Sequence, residues 1–215
     1  MNNRNTLIVV IALIVIASAV SAFLAPRMPE QMASHWNAAG EVDGYITKFW
    51  GAFLMPIVSL GLFLLFWVIP YIDPLRANIA KFRGYFNAFI VIIMAFLLYM
   101  HGLTLAWNLG YTGFDMGAAM LPALGLFFVY AGVMMAKAKR NWFIGVRTPW
   151  TLSSDTVWDA THCLGAKLFI GSGLLAILGV FFGAYALWFV FVPLLGSALF
   201  LVVYSYVLYQ RETKA

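Results

Sequence analysis

Apolar residues fall along this chain in six long blocks, near residues 6–24, 49–70, 87–109, 118–136, 165–184 and 187–209. Each is long enough to carry a helix across about 30 Å of hydrocarbon. Only "GAYAL" parts the last two, so spans five and six form a tight hairpin. The first block has "MNNR" ahead of it and small residues "SAVSA" near its end, like a signal peptide. Its apolar run is longer than a usual signal core, so it is read as an uncleaved span. The pattern predicts an all-α polytopic membrane protein with both termini on one side.

Two polar islands interrupt the blocks, at opposite ends of the spans. The first, residues 25–48, opens with Pro26 and Pro29, which stop a helix by removing a hydrogen bond and crowding the preceding turn. "NAAG" and "DG" within it are turn signals. The second island, residues 137–164, reads as an extended stretch and then a short interfacial helix. Thr148 precedes Pro149 and is pushed away from helical angles. Ser153, Ser154 or Asp155 is placed to cap the short helix. On that helix Asp155, Asp159 and His162 share a face, with Trp158 one turn from His162. A shorter basic connector, "YIDPLRANIAKFRGYF", joins spans two and three.

Composition sharpens the class. The 215 residues are 64% hydrophobic and only 10% charged, with a mean hydropathy of +0.91. A soluble domain needs about a quarter charged residues to wet its surface, so this chain belongs in a bilayer. Its single cysteine, Cys163, excludes an internal disulfide and any multi-cysteine metal site. Charge then sets sidedness. With both termini cytoplasmic, the inside holds eleven of the thirteen lysines and arginines: Arg4, Arg76, Lys81, Arg83, Lys137, Lys139, Arg140, Arg147, Lys167, Arg211 and Lys214. Only Arg27 and Lys48 fall outside, an imbalance that orients a chain strongly. Trp50, Trp107 and Trp188 at the outer ends, and Trp67, Trp142, Trp150 and Trp158 at the inner ones, suit the half-wet interface. The first island is therefore the outer loop and the second the inner loop.

Two readings of the inner loop stand at this point. In one, its aspartates are simply solvated on a helix lying in the headgroup layer. In the other, Arg147 forks onto Asp155 or Asp159 and locks the loop across the cytoplasmic mouth.

"NWFIGVRTPWTLSSDTVWDATHCLGAK" resembles the signature of the SdpI-like family of immunity proteins, on Asn141, Phe143, Gly145, Arg147, Thr148, Pro149, Trp150, Thr151, Ser154, Trp158, His162, Gly165 and Lys167. The outer loop resembles the module of unknown function that often precedes that family's motif. There the matching residues are Pro29, His35, Trp36, Asn37, Gly40, Asp43, Gly44, Tyr45 and Lys48. Cys163 departs from the pattern, where a basic residue is expected after the histidine. The resemblance divides the chain into a module at 1–115 and a second at 116–215. It implies a multi-pass bacterial plasma-membrane protein that is not an enzyme and needs no cofactor. Such a protein protects its cell from a secreted membrane-active toxin peptide, with a cytosolic transcriptional repressor as a second implied partner and no direct contact with nucleic acid.

On that reading, His35, Trp36, Asn37, Gly40, Asp43, Gly44 and Tyr45 are the candidate peptide-binding residues, since an arriving peptide meets them first. Interfacial aromatics give large contact area, and Asp43 or Glu41 can pair with a cationic peptide. The competing view is a capping loop that only closes the bundle. His35, Glu30, Glu41, Asp43 and His101 raise a metal site, but no paired-histidine spacing supports one, and none is assigned. Gly165, Gly171, Gly173, Gly179 and Gly183 give span five a small-residue face, for a homodimer or for packing within one chain. Tyr204, Tyr206 and Tyr209 form an inner-leaflet anchor. A transporter is the main alternative function. The near absence of charge in the central layers opposes it, because coupled transporters carry ionisable relay residues there. A membrane enzyme using His35 and a carboxylate lacks any nucleophile motif.

Sidedness has a direct test. A membrane-impermeant thiol reagent should leave Cys163 unlabelled on intact cells and label it once the membrane is permeabilised. Labelling from outside would invert the map.

Overall fold

The computed structural model of the chain describes residues 1–214, apart from the side chain of residue 184. Six long helices are apolar enough to cross a membrane, which makes this a helical multi-pass membrane protein. Helix α1 (Asn3–Leu24) starts where the Asn2 side chain accepts the Asn5 amide, and it ends in a 3₁₀ turn at Ala25–Arg27 carrying Pro26. Next come a hairpin of β1 (Gln31–Trp36) and β2 (Val42–Thr47), then α2 (Lys48–Ile72) and α3 (Arg76–Asn108). Helix α4 (Met116–Met135) leads into the inner loop. After it come α5 (Pro149–Ser153), α6 (Asp155–Gly179), a 3₁₀ turn and α7 (Trp188–Glu212).

Three expectations change. The outer loop is a two-stranded antiparallel hairpin with an irregular register around His35. Its Gly, Pro and Asn signals were legible as turns, but its short strands lack strict alternation. Helix α3 starts at Arg76, about three turns before the expected 87, because the basic connector is itself helical. Polar residues lower hydropathy without lowering helix propensity, and a bend at Phe82 marks where that extension meets the span. The inner loop has no separate interfacial helix carrying Asp155, Asp159 and His162. Those residues form the first turns of α6 itself, with Ser154 as N-cap, while the short helix is α5.

Glycines set the closest packing. A Cβ at Gly125 would sit 2.5 Å from the Gly173 carbonyl oxygen, and one at Gly132 would sit 2.7 Å from that of Ala166. Helices α4 and α6 thus approach backbone to backbone, as lipid-embedded helices do when small residues line the contact. The small-residue face is used within the chain at Gly165 and Gly173. Gly179 meets Phe189 at the α6–α7 turn, and Gly183 takes a positive φ of 52° there. At the end holding the termini, one core unites α1–α3 with the start of α6: Val10, Phe63, Ile79, Phe82 and Phe86 pack with Met134, Ile144 and Trp158. His101 is buried and bonds Ser21 at 2.7 Å, tying α3 to α1 rather than reaching the hairpin.

Gly173→Val should force α4 and α6 apart, costing about 1–3 kcal/mol. Thermal unfolding in detergent should show it as a lowered midpoint, whereas Gly171→Val, which has open space, should not.

Candidate functional site

The hairpin is fastened to the bundle through one asparagine. Asn108, at the end of α3, accepts the Ala33 amide at 2.8 Å and donates to the Ala33 carbonyl at 3.0 Å. Its amide imitates a neighbouring strand, so an edge that lipid or water would otherwise face is satisfied. Met32 is fully buried beneath it against Met28 and Leu105. Gly51 makes room for Met32, since a Cβ there would meet its sulfur at 2.5 Å. At the base, Lys48 pairs with Glu30.

The tip is organised by Asn37, whose side-chain oxygen accepts the amides of Ala39 and Glu41. Gly40 takes φ 80°, a left-handed angle that other residues rarely adopt. His35 Nδ1 bonds the Asp43 carboxylate, and both side chains are solvent-accessible. Gly44 lies opposite His35, where a Cβ would approach the His35 Cβ to 2.8 Å. Trp36 packs edge-on against Trp107, and Trp107 against Phe114.

A cavity of about 860 Å³ lies behind this tip. His35, Trp36, Asn37 and Gly40 line one side; Met55, Met100 and Thr104 from α2 and α3 line another. Asp115, Met116 and Met120 from the start of α4, with Leu187 and Phe191 from the α7 end, complete it. Asp115 also caps α4, accepting the Ala118 amide at 2.6 Å. Of the expected outer residues, Asp43 and Gly44 support His35 from the neighbouring strand, and Tyr45 is exposed away from the cavity wall. Asp115 and the methionines were missed. An aspartate ahead of an apolar block is a readable cap, but its convergence with a hairpin tip is not encoded locally.

At the opposite end the inner loop is fixed by buried polar side chains. Asn141 accepts the Phe143 and Ile144 amides and donates to the Lys139 and Ile144 carbonyls. Asp73, only 2% exposed, accepts the Leu75 amide with one oxygen and the Trp142 amide with the other. It pins the loop to the α2–α3 turn. The Thr148 and Thr151 side chains form a reciprocal cap on α5, with Pro149 in its first turn. Thr148 also shares a hydrogen bond with Ser205 of α7 at 3.1 Å, and Trp150 packs on Tyr206.

His162 and Trp158 are core residues, not an interfacial stripe. Their rings stack at 3.9 Å, and neither is more than 2% exposed. His162 Nε2 accepts the Val146 amide, so the ring proton sits on Nδ1, which donates to the Trp158 carbonyl. The Trp158 indole donates to the Ala138 carbonyl. Gly145, at φ 109°, lies against the imidazole, and any Cβ there would collide with it.

The expected Arg147 lock is absent from this arrangement. Arg147 is exposed and donates to the Trp142 carbonyl. The aspartates are held by its neighbours instead: Arg140 Nε lies 2.9 Å from Asp155, and Lys139 bonds Asp159. Arg140 also donates to the Leu152 carbonyl. No group of three or more His, Cys, Asp or Glu side chains positioned to share a metal ion occurs among the described residues.

A hairpin at one end of six spans and a locked loop at the other define a helical multi-pass membrane protein. Residues 12–60 match a domain of unknown function (DUF1648), and residues 137–205 match the SdpI/YfhL protein family. The chain is 26% identical over 206 residues to the Immunity protein SdpI of Bacillus subtilis (strain 168), covering 95% of this chain and 96% of that one. Both segments occur in this order, and the chain is thus similar to the SdpI/YfhL family over its second matched segment. No solved structure matches it.

His162→Ala should leave the Val146 amide and the Trp158 carbonyl unpaired, at about 1–3 kcal/mol for each. Arg147→Ala, on an exposed side chain, should stay within about 0.5 kcal/mol. Thermal melts of the two variants side by side distinguish this lock from one built on Arg147.

Proposed function

We propose that this chain is a plasma-membrane immunity protein that shields a bacterium from a secreted membrane-active peptide. The observation that carries the reading is the end-to-end likeness to a protein named for immunity, across both modules. Fold alone would not carry it. Residues 1–115 form one module and residues 116–215 the other, with the hairpin outside and the basic loop inside. The hairpin end, with His35, Trp36, Asn37, Gly40 and Asp43, receives the peptide, and no covalent chemistry is involved.

A cytosolic repressor is the partner for the inner end. There Trp142 and Phe143 are exposed beside Arg147, on a loop held rigid by Asp73 and Asn141. Exposed aromatics next to an arginine are favourable anchors for a protein partner.

Expression in a strain sensitive to secreted membrane-active peptides should raise survival by about tenfold or more, the order expected if binding removes most free peptide. Unchanged survival with every peptide tried, at confirmed membrane levels of the chain, would overturn the reading. Protection that collapses with the proton gradient would favour export instead.

A further inference from the structure

The cavity behind the hairpin tip is built from both modules, and its walls have a chemistry of their own. Met55, Met100, Met116 and Met120 supply much of the apolar lining, with Leu121, Leu187 and Phe191. Methionine is unbranched and polarizable, so such a wall adapts to differing apolar shapes. At about 860 Å³ the cavity falls within the size range of small-ligand sites.

Its polar groups are one-sided. Among the described residues, no lysine or arginine lines the cavity. Asp115 engages the Ala118 amide through Oδ1, while Oδ2 faces Gly40, where a Cβ would stand 2.6 Å from it. That oxygen has no hydrogen-bond partner among the described residues. Trp36 lines the cavity beside it, with its ring held edge-on by Trp107.

An apolar lining and an exposed carboxylate at the rim with no opposing cation select one ligand class together. A fatty acid brings its own negative charge to Asp115. A peptide segment brings apolar side chains, backbone carbonyls and, through lysine or a free amino terminus, a positive charge. We propose that this cavity is the receptor for an apolar peptide segment bearing one positive charge. Its side chains lie among the methionines, and its charge lies at Asp115. The proposal rests on the immunity reading and assigns the peptide to the seam between modules rather than to the exposed face of the hairpin.

The full chain in phosphatidylcholine nanodiscs, with a fluorescent leucine-rich decapeptide carrying a single lysine as probe, tests this by anisotropy against empty nanodiscs. Binding should saturate. Met120→Trp, which fills the cavity, should weaken it about tenfold or more, as for a lost hot-spot pocket. Asp115→Asn keeps a good helix cap, so the fold is preserved while the charge goes. It should cost about tenfold for the lysine probe, the weight of one charge-assisted bond, and nothing for the same peptide with norleucine in place of lysine. Equal melting temperatures certify the variants.

Three results overturn the proposal: non-saturable partitioning equal to empty nanodiscs, lysine binding indifferent to both Met120→Trp and Asp115→Asn, or a co-purified lipid that native mass spectrometry finds in the parent chain and not in Met120→Trp. The survival assay separates the two claims. A Met120→Trp chain that binds no probe yet still protects sinks the cavity and leaves immunity standing. A parent chain that binds with Asp115 dependence but never protects does the reverse.

Discussion

The constraint on which this structure depends is that hydrocarbon offers no partner to a backbone N–H or C=O. Helices satisfy their own, so every departure from helix must bring a partner with it. The chain does this with a few polar side chains. Asn108 serves both backbone groups of Ala33, Asn141 makes four bonds to the turn around it, and Asp73 holds amides from two separate loops. His162 accepts the Val146 amide at the glycine bend of the inner loop. Each sits where the chain stops being a span. What reads in the sequence as a polar island is largely the wiring that lets a non-helical segment exist there.

The same requirement explains why so many motif residues are structural. Gly145 and His162 fit as a pair, because the imidazole occupies the space a side chain at 145 would need. Trp158 closes that stack and bonds Ala138. Thr148 and Thr151 cap each other, and Thr148 reaches α7. The segment between spans four and five is thus a plug built from its own side chains. Its charged residues sit on the outside of that plug, with Arg140 and Lys139 rather than Arg147 holding the aspartates.

The six spans were legible because hydropathy over some twenty residues is a strong and local signal. The stop at Pro26, the extended Thr148 and a cap among Ser153, Ser154 and Asp155, which proves to be Ser154, came from single-residue stereochemistry. The start of α3 was hidden because polar helix and loop look alike to hydropathy. The hairpin was hidden because six-residue strands pinned by a distant Asn108 carry little pattern of their own. The partner of Arg147 was wrong for a related reason. Four cations and two aspartates lie close together along this loop, and only its three-dimensional course decides which pairs meet. Asp73 and Asp115 were each readable as local turn or cap residues. Their second oxygens, one on Trp142 and one at Gly40, are tertiary facts.

Helices α1–α3 and α4–α7 are joined unequally along their length. At the end holding the termini they share a dry core, in which Phe82 and Phe86 of α3 meet Met134, Ile144 and Trp158. Through the middle, Phe89 and Phe96 pack on Phe127 of α4, and Tyr130 bonds the Tyr85 carbonyl. At the hairpin end that continuity gives way to the cavity, closed over by a glycine tip resting at Asp115. Close-packed interiors resist deformation, whereas an unfilled seam does not. The contact between α1–α3 and α4–α7 is therefore held least by packing at the hairpin end, and an occupant of the seam would meet the bundle where its own surface can still be buried.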